Sequence, residues 1–252
     1  MKPKKRLYTE IAYILGLVIL AFGSALVKAS DFGVAMVVAP AYLICDKLST
    51  IKGLEFITFG MAEMLFQIVV FLLMLIVIRK FKPRYLFFFV TTLFYGVVLD
   101  AFIRLMNVIP GGELLYLRHI YFVVGLLLSA LGVAFLFHTY ITPESYELFV
   151  MEVSKRFNLN INRFKTIYDI SSCVLAVVMS LILFKGELKE VGWGTAVAAV
   201  LNGFLVGRFS KFLEKRIKFV HKFTKLAPPP VPSKDDEPIE PPDEIIGADN
   251  LA

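Results

Sequence analysis

Inside stretches apolar enough to cross a membrane stand a few groups able to do chemistry: Glu63, Asp100, Arg104, His138, Asp169 and the neutral Asn202. An ionisable side chain at membrane depth costs at least ~2.5 kcal/mol on insertion scales, so each calls for a partner or a role. Asp100 and Arg104 are four apart on one helix face, which reads either as an internal ion pair or as a functional pair. Glu63 and Asp169 lie near the starts of their spans, where each either reaches an interface or lines a pathway. His138 ends its span beside Thr139 and Tyr140, the place of an interfacial residue rather than a proton relay. These types at this depth suit contact with a solute or a coupling ion. They do not suit catalysis: the chain has no HExxH, GxSxG or Walker sequence, no Cys/His cluster, and no carboxylate pair beside a convincing nucleophile. No catalytic residue, metal site or cofactor is therefore expected, and the protein is not expected to be an enzyme.

Two stretches are too apolar for loops and too short to cross. The first runs from Lys28 to Ser49, and its apolar core, Val34 to Cys45, suits a re-entrant or interfacial segment. Ser30 and Asp31 are good N-cap types, Gly33 loosens the turn, and Pro40 would kink an ordinary helix, which predicts a half helix over about 31–48. The second runs from Thr139 to Asn158. Thr142 as N-cap, Pro143 at the first helical position and Glu144 near the positive helix end predict a half helix over about 142–157. A broken helix at membrane depth is costly unless it lines a site. The candidate substrate-binding residues are thus Ser30, Asp31, Gly33, Pro40, Glu63, Asp100, Thr139, Thr142, Glu144, Asp169 and Asn202, with Asp100 foremost.

The elements that must hold these groups follow from composition. At 58% hydrophobic and 19% charged residues, with mean hydropathy +0.73, the chain is a polytopic membrane protein rather than a soluble globule. Spans are predicted over 11–27, 57–78, 85–107, 119–138, 166–184 and 193–212. Basic clusters at the N-terminus, 79–84, 139–165 and 208–225 alternate with less basic connections, which places both termini in the cytoplasm. The net charge of +6 divides unevenly: residues 227–252 carry seven acidic residues and one Lys, leaving the preceding body at +12. Topology explains that excess, so no nucleic-acid partner is expected. Cys45 and Cys173 lie in apolar segments and read as packing residues. Residues 208–225 read as a basic juxtamembrane helix, and 226–252 as a disordered, acidic, Pro-rich cytoplasmic tail.

Shifting the chain by 109 residues lays Gly16, Ala21, Gly23 and Ala25 over Gly125, Ala130, Gly132 and Ala134, and Ser30 over Thr139. The second span then falls on the fifth; a shift of 103 lays Thr92 over Thr195 and the third span over the sixth. Three spans per copy is an odd number, so the copies, 11–107 and 119–212, would run through the membrane in opposite senses. The expected fold is all-α: six transmembrane helices as two inverted three-helix repeats, each with a broken or re-entrant helix after its first span. Many secondary transporters are built this way, with the site near the midplane where the copies meet.

The glycine-rich first span followed by DFGVAMVVAPAYLICDKLS, with Gly33, Pro40, Leu48 and Ser49, resembles the bacterial YczE/YyaS/YitT-like membrane proteins over roughly residues 10–215. Met36 stands where that pattern suggests a proline. The resemblance implies a multi-pass plasma-membrane protein and supplies no catalytic residues. The leading expectation is a secondary transporter or exporter of an unidentified small solute. The alternatives are the substrate-binding membrane subunit of a multi-component transporter, or a non-transporting scaffold for a cytoplasmic enzyme. Expected partners are the lipid bilayer, that small molecule, a cytoplasmic partner reached through the tail, and a second copy in a homodimer.

Overall fold

A computed structural model of the chain describes residues 5–220 apart from 52, 55, 56, 58 and 110–113. Lipid offers backbone amides no partner, so the apolar runs fold as helices that satisfy themselves. In chain order the elements are β1 (Lys5–Tyr8), α1 (Thr9–Ala29), α2 (Ala39–Ser49), α3 (Phe59–Ile78), α4 (Phe87–Val108), α5 (Leu115–Phe137), α6 (Ser145–Arg156), α7 (Ile161–Leu183), α8 (Trp193–Arg216) and β2 (Ile217–Val220). Six of them, all but α2, α6 and the strands, are long and apolar enough to cross a membrane. Their outward faces are apolar too, with Leu65, Ile76, Val97 and Ile182 all more than half exposed. Apolar exposure on that scale fits lipid and not water. The chain is a multi-pass membrane protein.

Strand β1 pairs in parallel with β2, Lys5 opposite Ile217 through Tyr8 opposite Val220, so both ends of the described chain lie at one end of the bundle. This corrects the basic helix predicted over 208–225. Its first part is the end of α8, and its next residues are extended because Ile217 and Phe219, with Leu7 opposite, pack onto the core cluster around α1 and α5. The tail predicted over 226–252 lies outside the described residues.

The core is organised by α1 crossing α5. Gly16 meets Gly132, and Gly23 meets Gly125 and Ser129; a methyl group on Gly23 would lie 2.5 Å from the Ser129 nitrogen, and one on Gly132 would lie 2.7 Å from the Gly16 oxygen. Only hydrogen fits there, and the backbones approach as small residues allow in lipid. Around this crossing α1 packs on α4 and α5 on α8, while α2 and α6 each pack on both α3 and α7. Exchanging α1–α4 for α5–α8 leaves those packing pairs unchanged.

The short helices start later than predicted. Helix α2 begins at Ala39, so Ser30 and Asp31 do not cap it. Ser30 instead closes α1, its hydroxyl donating to the Val27 carbonyl at 2.6 Å, and Asp31 takes a left-handed φ of 57° that turns the chain away. Pro40 falls in the first turn of α2, where a missing N–H costs nothing, and produces no kink. Helix α6 begins at Ser145 with Glu144 as its cap residue, so Thr142 and Pro143 precede the helix. The Glu144 side chain does not bond the helix end and is free to reach elsewhere.

Candidate functional site

Gln67, near the middle of α3, ties three elements together. Its amide oxygen accepts from the Thr92 hydroxyl (2.7 Å) on α4 and from the Ser145 N–H (3.0 Å) at the start of α6. With two donors on the oxygen, the amide nitrogen must face the other way. There it donates to Glu63 Oε1 (3.1 Å), one turn back on α3, and to Glu144 Oε2 (3.3 Å). One –NH2 group thus bridges two carboxyls from different halves of the chain.

Helix α7 supplies the counterpart. Lys165 and Asp169 are one turn apart, and Lys165 Nζ lies 3.1 Å from Asp169 Oδ1 and 3.2 Å from Glu147 Oε1 on α6. Asn202 on α8 donates its Nδ2 to Asp169 Oδ2 at 2.9 Å. Glu63, Gln67, Glu144, Glu147, Lys165 and Asp169 are each no more than 2% exposed. Four carboxyls and a single ammonium group, which touches two of them, are therefore buried together, and an uncompensated buried charge costs several kcal/mol. Burial, with Glu147 and Glu63 nearby, holds the Glu144 carboxyl well above the usual carboxylate range.

Between the segment leading into α2 and the start of α6 lies a cavity of about 40 Å³. One wall is the apolar segment Ala35–Val38 leading into α2; the other carries Glu144, Tyr146, Glu147, Lys165 and Asn202. Ser24, Tyr95 and Ser129 add hydroxyls to a lining whose remaining residues are apolar, and the Tyr95 hydroxyl donates to Ser24 Oγ at 3.1 Å. Such a space holds a few waters or one small ion.

Matching bonds fasten the segments that precede the short helices. The Thr195 hydroxyl on α8 donates to the Val34 carbonyl, and the Thr91 hydroxyl on α4 to the Thr142 carbonyl, both at 2.8 Å. The Thr139 hydroxyl donates to the Leu136 carbonyl (2.9 Å) as that of Ser30 does to Val27. Gly33 has φ +107°, and a Cβ there would lie 2.3 Å from Thr195 Oγ1, so the residue is confined to glycine.

A second hollow of about 270 Å³ opens where α1 ends and α8 begins, lined by Lys28, Asp31, Gly33, Glu190 and Trp193. Lys28 pairs with Glu190 there, and Arg118 holds both Asp31 Oδ2 (2.7 Å) and the Ser30 carbonyl (2.8 Å).

Of the candidate residues, Glu63, Glu144, Asp169 and Asn202 meet in the central cluster. Asp31 and Gly33 line the second hollow; the Ser30 and Thr139 hydroxyls fasten backbone, while the Thr142 carbonyl is itself held by Thr91; and Pro40 is buried at the start of α2. Asp100 is half-buried on α4, with exposed Arg104 as its nearest counter-charge, and does not line the central cavity. His138 meets Glu214 at 3.2 Å and stacks on Phe219 at the sheet end of the bundle. Sequence reasoning missed Gln67, Glu147 and Lys165; the four-residue step from Lys165 to Asp169 was the available signal. Among the described residues no three His, Cys, Asp or Glu side chains converge as metal ligands.

No curated protein and no solved structure matches the chain. A family model does, over residues 7–211, a stretch that takes in every element from α1 to the Asn202 region of α8 and stops before the acidic tail. The chain belongs to that family, a family of unknown function (DUF6198).

Proposed function

We propose that the protein is a secondary transporter of a small solute in the bacterial plasma membrane, with both termini in the cytoplasm and its site in the central cavity between the segment leading into α2 and the start of α6. The observation that carries this reading is the buried cluster of Glu63, Glu144, Glu147, Asp169 and Lys165, drawn from both halves of the chain, with Glu144, Glu147 and Lys165 lining one cavity. Buried ion pairs are poor stabilisers compared with apolar packing. In a membrane protein, groups kept at that cost mark a substrate or ion pathway.

The reading includes an inverted repeat of α1–α4 on α5–α8. Its support is reciprocal: Gly16 meets Gly132 while Gly23 meets Gly125, the exchange that a two-fold axis between equivalent helices requires. Ser30 to Val27 and Thr139 to Leu136 repeat one bond 109 residues apart. Transporters with discontinuous helices place their sites where such copies meet. The resemblance to the YczE/YyaS/YitT-like proteins stays part of this proposal, and the site is one of binding, without catalysis.

Flux into proteoliposomes across a broad solute panel tests the reading. Wild-type protein is expected to carry at least one solute, and Glu144→Gln to carry it far more slowly. Identical permeability of wild type, Glu144→Gln and empty liposomes across the panel would overturn it.

A further inference from the structure

We propose that the ligand of the central cavity is a small monovalent cation, exchanged for a proton held by the Glu63–Gln67–Glu144 bridge. The inference rests on the location of the site argued above and adds its substrate class and coupling. Five lining residues keep a buried oxygen without a hydrogen-bond partner: Glu144 Oε1, Glu147 Oε2, Asn202 Oδ1, Ser129 Oγ and the Tyr146 hydroxyl. The amide oxygen and the ionised carboxylates among them accept only, while the two hydroxyls can donate or accept. The nitrogens nearby are already engaged: Gln67 with two carboxyls, Lys165 with two more, and Asn202 with Asp169. Against two hydroxyls and the N–H bonds that Lys165 and Asn202 have left over stand four carboxyls, so the balance of the cavity favours a cation over an anion.

Charge balance points the same way. Lys165 offsets one of four buried carboxyls, and the remaining three need protons or a bound cation. The titratable groups facing Glu144 are Tyr13 on α1, Glu63 on α3, Tyr95 on α4, Tyr146 and Glu147 on α6, and Lys165 on α7. Only Lys165 among them is basic, so a proton on the Glu144 carboxyl is the simplest relief. In the exchange, the cation enters beside the Glu144 carboxyl, the O–H bond breaks, and the proton leaves to water. One positive charge replaces another, and the cluster's net charge is conserved. The cavity volume of about 40 Å³ limits the ligand to an alkali ion or a small ammonium. The absence of three convergent side-chain ligands among the described residues argues against a divalent metal.

The test is proton release from full-length protein in detergent, in weakly buffered solution near neutral pH, read by a pH-sensitive dye. Sodium, potassium and methylammonium chlorides are added in separate arms, so that an alkali ion is told from an amine. At least one arm is expected to release about one proton per chain with saturation. Glu144→Gln should cut that release at least about tenfold, and Glu147→Gln should weaken half-saturation by about tenfold, the loss of one charged contact. If Glu144→Gln does not purify as a folded protein, the wild-type and Glu147→Gln arms still decide. No release in any wild-type arm, or release unchanged in the variants, overturns the proposal. Release in detergent without flux in liposomes would sustain the cation site and refute transport. Flux of a neutral or anionic solute without proton release would do the reverse.

Discussion

The segments before α2 and before α6 are fastened alike and filled differently. Each follows a helix closed by a hydroxyl bonded three residues back, and each gives a carbonyl to a threonine on a neighbouring long helix, Val34 to Thr195 and Thr142 to Thr91. The first then presents Ala35, Met36, Val37 and Val38 to the cavity, and the second presents Glu144, Tyr146 and Glu147. One frame therefore serves two ends: the first segment closes the cavity with apolar surface, and the second supplies its ionisable groups. The glycine demand is just as uneven, with Gly33 wedged against Thr195 in the first segment and Pro143 standing in the second.

Substitutions can break that contrast in order of effect. Lys165→Met should do the most damage, because it leaves Glu147 and Asp169 without their ammonium; unpairing a buried charge costs about 3–5 kcal/mol. Loss of monodisperse protein, or a collapse of thermal stability in detergent, is the expected readout, and a wild-type melting curve would count against the cluster. Gly33→Val comes next at roughly 1–3 kcal/mol, from its positive φ and the contact with Thr195. Pro143→Ala, in the segment before α6, should cost much less in the same assay.

Glu144→Gln sharpens the comparison through pH. Because burial raises the Glu144 carboxyl above the ordinary value of 4.5, the folded state keeps a proton that the unfolded chain releases. That contribution is complete below the ordinary value and is lost as pH rises toward the raised one. The variant cannot titrate there, so its melting temperature should gain on wild type as pH rises; a constant difference would contradict a raised Glu144. Thr91→Val and Thr195→Val should each lose about 1 kcal/mol, and nearly the same amount if the two fastenings are equivalent. The smallest effect is expected from Asp100→Asn, which should leave solute flux close to wild type.

The long helices were legible in the sequence because each apolar run had to be a helix, and their ends fall within a few residues of the predicted spans. The site was half legible. Glu63, Glu144, Asp169 and Asn202 stood out as polar groups in apolar or broken surroundings, and they meet. Lys165 was hidden because the fifth span was placed from 166, which left it among the basic residues of a connection; α7 starts at Ile161 and carries it into the cluster. Glu147 fell inside the predicted second half helix without being singled out, and Gln67 is neutral. Asp100 was placed foremost among the candidates, yet it is half-buried on α4 with Arg104 as its counter-charge and is not among the residues lining the cavity. Pattern alone cannot supply that placement.

The most direct test of a central site reached from both sides is the accessibility of Ser129, which lines the cavity. Ser129→Cys, with Cys45 and Cys173 replaced by alanine, would be exposed to a membrane-impermeant thiol reagent in whole cells and in inverted vesicles. Labelling from both sides, slowed in each by the transported solute, is the expected result. Labelling from one side only, or from neither in a protein that still transports, would contradict it.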